Sequence, residues 1–403
     1  MSKRIGIKKI LLLNKKIENQ SYKSKNIFNN QIFQNTIKKE INISGLGLHH
    51  NNICNMKLKP SFSNTGRFVS FKKNNGQEDI LEKNLPTKQP NTRYKNSNYI
   101  SNYYNLIDNR MKNYKRSIHK FENIIEKSNN NLIFQYNTIF EHDQETNLLD
   151  CQIENINKRP KYFLTLNNHD HAVYSIEHLL SALEALSIDN IEIQMENNSE
   201  IPIFDGSSMG WVNILQKNEV LPSISSSNLL VKDNYLKKAR KFKFGSNRVL
   251  SLCDNDSFIT YYPDKITRIT VGLDYSLKSP IIGKQWYSYT VHQDDHYKWD
   301  IGSARMYIKS FDELYKAKDL GYFSNGIENC VNLPVFDRWV DDDQIRYLNS
   351  ECARHEILDL IGALGLLNYN GNGGLPYGHI VAYKPNLELM VKFTKMLKEN
   401  III

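Results

Sequence analysis

Residues 175–182 read SIEHLLSA, residues 189–195 read DNIEIQM and residues 201–207 read IPIFDGS, and these three stretches decide the fold. Ser175 is placed to cap a helix whose Leu179, Leu180, Leu183 and Leu186 fall on one face, which predicts an amphipathic helix ending near Leu186. Asp189 to Met195 alternates apolar and polar residues, the period of a half-buried strand. Ile201 to Ser207 reads as a further strand ending in an Asp-Gly turn, and Met209 to Leu215 as a second helix. Strand and helix alternating over so short a span predict helices on one face of a mixed sheet, an α+β layer.

Upstream, Ile41 to His49 reads as a strand and a glycine turn, with Gly45 and Gly47 supplying permissive backbone. Alternation continues at Met56 and Leu58, turns at Ser63 to Gly66, and resumes at Phe68, Val69 and Phe71, which predicts a small β-meander. Residues 73–158 are rich in Asn and Lys, with helical periodicity confined to Ile118 to Ile125, and read as a largely disordered or partner-bound insertion. Downstream of a Ser- and Asn-rich linker, Pro222 to Asp233, the pattern repeats. Strands are expected from Arg240 to Tyr289, helices at Phe311 to Ala317 and Ser350 to Leu366, a strand at Ile380 to Tyr383 and a helix at Leu387 to Leu397. The similar order of elements suggests an internal duplication. The expected division is a basic tail or targeting segment at 1–37, a first α+β domain at 38–220 and a second at 235–400.

With 52 basic and 43 acidic side chains the chain carries a formal charge of +9, which favours acidic partners. A solvated surface with basic termini accounts for the same excess. The five cysteines, Cys54, Cys151, Cys253, Cys330 and Cys352, are scattered without CxxC spacing, which argues against a disulfide framework or a thiolate metal site. No apolar run reaches the length of a bilayer span. Residues 1–17 hold Lys3, Arg4, Lys8, Lys9, Lys15 and Lys16 among Ile and Leu and contain no acid. They read either as an organelle-targeting lead, mitochondrial or plastid, or as a basic tail on a cytoplasmic protein.

Chemistry concentrates in two places. Glu177 and His178 stand at the start of the first helix, and His355 and Asp359 lie four residues apart, on one face of a later helix. A histidine from elsewhere would complete a set of two nitrogens and one carboxylate with a fourth position free for water, the coordination of a hydrolytic zinc. Glu177 would be the natural general base for that water. Taken alone, a His-x-x-x-Asp pair on a helix is a weak signal.

The surrounding segments give it weight. Ile43 to His49, Pro60 to Gly66, SIEHLLSA with Asp189-Asn190, IPIFDGS, Ser279 to Gln285, Ala304-Arg305, Arg354 to Gly362 and Ala382 to Lys384 occur in one order. Together they resemble the UDP-3-O-acyl-N-acetylglucosamine deacetylase family, the zinc amidohydrolases of lipid A synthesis. That resemblance covers about 38–72 and 160–397. It implies two α+β domains, each a sheet layered on helices, with an active-site cleft between them. It also implies His178, His355 and Asp359 as zinc ligands, Glu177 as general base, and a UDP-linked acylated amino sugar as the substrate that loses acetate.

Five positions depart from the family's pattern. Met306 stands where a threonine would help hold an oxyanion, and Glu356 where a lysine follows the helical histidine. Leu387 replaces a second histidine and Ala363 replaces the aspartate that partners it. Lys309 replaces a phenylalanine of the acyl passage, where an ammonium would oppose a fatty chain. His379 is near Lys384 but on the other side of that strand segment. Two readings therefore stand: a slowed zinc deacetylase, or a non-catalytic descendant built into a larger protein or RNA assembly, such as a mitochondrial ribosome. In the second, Met306 and Leu387 should be packed into the cleft.

Overall fold

The computed structural model describes residues 33–49, 53–71, 148–157, 160–168, 170–196, 199–223, 244–291, 296–323, 330–335, 337–340, 343, 345–373 and 375–401. Two five-stranded sheets organise them. The first takes β1 (Ile41–Leu46), β2 (Ile53–Pro60), β3 (Arg67–Phe71), β4 (Leu148–Asp150) and β5 (Ile191–Met195), in the spatial order β1-β2-β5-β3-β4. The second takes β6 (Leu250–Asp254), β7 (Ser257–Tyr262), β8 (Thr267–Asp274), β9 (Lys284–Thr290) and β10 (Gly378–Tyr383), in the order β6-β7-β10-β8-β9. In each sheet one neighbouring pair is parallel, β3 with β5 and β8 with β10, and the other pairs are antiparallel. The duplication read from element order is thus repeated in strand order and direction.

Alternation explains the inward faces. Ile191, Ile193 and Met195 of β5 are buried between half-buried Glu192 and Gln194, and Ile380 and Ala382 of β10 are buried between half-buried His379, Val381 and Tyr383. Six helices lie among the described residues: α1 (Glu177–Ala185), α2 (Met209–Gln216), α3 (Tyr297–Asp300), α4 (Phe311–Asp319), α5 (Glu351–Leu364) and α6 (Leu387–Glu399). α1 packs on α5, α5 on β8 and β9, and α6 on β6 and β7. Leu179, Leu180 and Leu183 are fully buried in the shared core, each worth about 1.5–3 kcal/mol relative to exposure. A smaller cluster around α4 gathers Leu48, Ile203, Ile308, Leu314 and Val331.

The α+β class and the layered sheets are as the sequence predicts, but several local readings need correction. The first strands do not form a meander, because β5 from far along the chain separates β2 from β3. Ile201 to Ser207 is a turn-rich loop rather than a strand, with Phe204 at φ 53° and Gly206 at φ 77°. Ser175 does not cap α1: its φ is 62°, and the residue before the helix makes no side-chain cap. Asn35–Ile37 pairs with Val220–Pro222, so order begins before residue 38. β4 lies within the stretch read as insertion, whereas the helical periodicity at 118–125 and the basic lead at 1–17 lie outside the described residues. Among the described residues no helix is long and apolar enough to cross a membrane.

Candidate metal centre

The first turn of α1 and the middle of α5 meet at one point. Ligand atoms of His178, His355 and Asp359 all lie within 4.8 Å of one another. Asp359 bridges the two rings, with Oδ1 3.6 Å from His178 Nε2 and Oδ2 3.6 Å from His355 Nε2. The imidazoles stand edge to face, centroids 5.1 Å apart. All three side chains are at most 14% exposed.

Hydrogen bonding fixes which atoms face the gap. His355 Nδ1 donates to the Ala304 carbonyl at 3.0 Å; since a carbonyl only accepts, the proton sits on Nδ1 and the Nε2 lone pair points toward Asp359. Asp359 Oδ1 is buried without a hydrogen-bond partner among the described residues. An orphaned carboxylate oxygen is costly in a buried place, and it is what a cation would satisfy. Bonds of about 2.0–2.1 Å to a tetrahedral zinc separate neighbouring ligand atoms by roughly 3.3 Å. The donor set and its spacing fit zinc.

Electrostatics agree. Burial opposes ionisation of Asp359, but His355 and His178 outweigh it and hold the carboxyl below its usual range. Burial would lower His178, yet Asp359 and Glu177 leave it raised, while burial dominates at His355 and lowers it. Glu177, packed beside His178, is pushed up to about 7 by burial, with His178 pulling the other way. One of its oxygens accepts from Leu164 N–H at 3.0 Å, which fixes the carboxyl against the helix start.

The positions expected to depart from the family's pattern sort into two groups. Ala363 and Leu387 are buried in the main core, the second as the first residue of α6, whose cap is Asn386 accepting from Leu389 N–H at 2.9 Å. Neither offers a polar atom. Met306 packs against the smaller cluster, and its amide donates to Gly206 O at 2.8 Å, so neither its side chain nor its N–H is free to meet an oxyanion. His379 lies on β10 with Nε2 2.9 Å from Thr270 Oγ1 and its ring beside Tyr262; it does not stand in for the replaced histidine.

Glu356 and Lys309 belong together. Tyr307 O–H donates to Glu356 at 2.6 Å, and Lys309 Nζ sits 5.2 Å from the centre of the Tyr275 ring. Burial pushes Glu356 up to about 7, opposed by the Lys309 charge. Burial would discharge Lys309, but Tyr275, Glu356 and Glu313 overcome it and keep the ammonium strongly basic. Two sequence departures are thus one electrostatic group, a cation and an acid exchanged across Tyr307 and Tyr275.

Sequence reasoning missed the groups that hold this centre in place. Glu351, buried at the start of α5, accepts from the amides of Arg305, Arg346 and Tyr347 at 3.0, 2.6 and 3.2 Å and so fixes the Ala304-Arg305 segment that orients His355. Asp205 is bound by Arg346 Nη2 at 2.7 Å. Glu351 lies one helical turn before His355, the one trace of this role in the sequence.

Residues 127–399 match the UDP-3-O-acyl N-acetylglycosamine deacetylase family. The chain belongs to that family. A probable mitochondrial UDP-3-O-acyl-N-acetylglucosamine deacetylase 1 of Arabidopsis thaliana is 35% identical over 227 residues, covering 55% of this chain and 66% of the relative, just under two thirds of its length. A UDP-3-O-acyl-N-acetylglucosamine deacetylase of a Nostoc strain is 29% identical over 58% of this chain and 75% of its own, and one of a Synechocystis strain 28% identical over 57% and 74%. The match begins inside the stretch read as insertion and after β1 to β3, and it takes in α1 and α5, which carry His178, His355 and Asp359.

Proposed function

We propose that this deacetylase-family chain holds zinc on His178, His355 and Asp359 and removes acetate from a UDP-linked acylated amino sugar, at a rate well below that of a complete site. The convergence of the three ligand atoms within 4.8 Å beside Glu177 carries the proposal. When bound, zinc supplies Lewis acidity, making a water a better nucleophile and polarising an amide carbonyl. Glu177 takes the proton of the attacking water. The water oxygen bonds to the acetyl carbon, the carbon–nitrogen bond breaks, acetate departs, and the departing amine receives the proton that Glu177 carried.

What the chain lacks sets the pace. Without an oxyanion donor at Met306 a loss of about 10²–10³ in turnover is expected. Without the acid pair at Ala363 and Leu387 a further loss of about 10²–10⁴ is expected. The two losses need not multiply.

The burial of Ala363 and Leu387 in the core favours a second reading. In it the chain is a non-catalytic descendant with zinc as a staple between α1 and α5, serving in a protein or RNA assembly such as an organellar ribonucleoprotein. The basic lead and the mitochondrial name of the plant relative support an organellar setting, the mitochondrion first, for either reading.

Protein purified without chelators, assayed for zinc and for deacetylation of UDP-3-O-acyl-N-acetylglucosamine with His178→Ala as control, separates the readings. Zinc with turnover lost in the variant supports the hydrolase, and zinc without turnover supports the staple. Finding neither zinc nor turnover would end the hydrolase and the zinc staple alike, and would leave a zinc-free descendant to be sought through partners of its basic surface.

A further inference from the structure

The two histidines of the centre are held in different ways. His355 is gripped by its ring, through Nδ1 and the Ala304 carbonyl. The ring of His178 is not: its Nδ1 is buried without a hydrogen-bond partner among the described residues. What holds His178 is its backbone. Ser208 Oγ donates to the His178 carbonyl at 2.7 Å, with both residues buried. Ser208 stands immediately before α2, where a serine ordinarily caps its own helix, yet its side chain makes no cap there. It reaches across to α1 instead.

Behind Ser208 lies Tyr297, the first residue of α3, a buried phenol with no part in the proposed hydrolysis. Its oxygen is 2.6 Å from Ser181 Oγ of α1 and also meets the Ser208 hydroxyl. The last acceptor settles the direction of these bonds. A carbonyl only accepts, so the Ser208 proton goes to His178, Ser208 Oγ accepts from Tyr297, and Tyr297 accepts from Ser181. Three hydroxyls thus run one way, from Ser181 through Tyr297 and Ser208 to the His178 carbonyl. All three residues are at most 7% exposed, and in so dry a place each bond strengthens the next.

Tyr297 is placed by the segment that also serves His355. The amides of Ile301 and Gly302 both donate to the Tyr297 carbonyl, at 2.9 and 2.6 Å, and that of Ala304 donates to the Ile301 carbonyl at 3.0 Å, which winds 297–304 into a tight turn. Gly302 lies against the phenol: a β-carbon there would be 2.8 Å from the ring. One end of this turn carries the phenol that backs His178, and the other carries the carbonyl that orients His355.

We propose that residues 297–304 form a bracket that sets the two histidines against each other, with Tyr297 as a positioning residue for His178. Slackening the Ser208 bond frees the first turn of α1, and the His178 imidazole moves with it relative to Asp359. The proposal rests on the reading of His178, His355 and Asp359 as zinc ligands. Groups that orient a ligand without touching the metal typically change affinity about 10–100-fold when they are lost.

Zinc affinity of the full chain, measured by competition with a chromophoric chelator, tests the bracket. It is read beside urea unfolding of the zinc-free protein and the visible spectrum of the cobalt(II)-loaded protein. Tyr297→Phe and Ser208→Ala should each weaken zinc binding about 10–100-fold and shift the cobalt bands. The double variant should bind no more weakly than Ser208→Ala alone, because the two hydroxyls act in one chain. Ile193→Val, in the core of the first sheet, should lower the urea midpoint and leave zinc affinity and the cobalt bands unchanged. A parent that takes up no zinc ends the bracket together with the ligand reading. A parent that binds zinc, with Tyr297→Phe and Ser208→Ala binding it as tightly and with the same cobalt spectrum, overturns the bracket alone.

Discussion

Gly362 of α5 lies directly against the backbone of Glu177: a β-carbon at Gly362 would sit 2.4 Å from the Glu177 carbonyl oxygen. This contact brings the start of α1, with Glu177 and His178, onto the helix that carries His355 and Asp359. Gly362→Ala must therefore push α1 off α5. The expected cost is about 1–3 kcal/mol of stability, seen in urea unfolding, together with weaker zinc retention on dialysis. A variant as stable and as zinc-retentive as the parent would show that the close approach is not what sets the centre.

Lys309 and Glu356 should behave as a pair. Lys309→Met leaves a buried acid without its cation and should destabilise, while adding Glu356→Gln should recover part of that loss. The expected coupling is about 0.5–3 kcal/mol in a double-mutant cycle. Strictly additive effects would break the pair.

Introducing the residues that the resemblance implies at three positions tests for a gain of function. Met306→Thr, with Ala363→Asp and Leu387→His, should raise deacetylation by at least about tenfold, since each group is one whose removal costs orders of magnitude. The same changes put polar atoms into a packed core and should cost about 1–3 kcal/mol for each group left unpaired. Loss of stability with no gain in rate would argue for the staple.

Acid should loosen the link between Asp205 and Arg346. Burial works against the Asp205 charge, but Arg346 and Ser207 prevail and hold its carboxyl below the usual value. A depressed folded value means stability that is present above the unfolded carboxylate range, near pH 4, and lost as pH falls through the folded value. Urea midpoints should therefore fall more steeply below pH 4 for the parent than for Asp205→Asn. Parallel curves would remove Asp205 from the acid response.

Much of this architecture is legible in the chain because its elements bury one face. Leu179, Leu180 and Leu183 give α1 its period, and Ile191, Ile193 and Met195 give β5 its alternation. What alternation cannot show is the neighbour, so the insertion of β5 between β2 and β3 was invisible. β4 was hidden too: with three residues in a polar stretch, its period is too short to read. Ser175 reads as a cap by residue type, yet the backbone takes a positive φ there and the helix begins two residues later. In the centre the three side chains that converge, His178, His355 and Asp359, could be named from the sequence, but the Ala304 carbonyl that sets the His355 proton belongs to the backbone and leaves no mark in a side chain. The Lys309–Glu356 exchange spans so much sequence that only folding reveals it as one group.

Zinc content measured by mass spectrometry on chelator-free protein, with thermal melts before and after EDTA, tests the central claim most directly. One zinc per chain is predicted, lost in both His178→Ala and Asp359→Ala. At a hundredfold excess over the dissociation constant, bound zinc should add about 2.7 kcal/mol of stability that EDTA removes and zinc restores. Folded, zinc-free parent protein whose melting ignores both EDTA and added zinc would contradict the account.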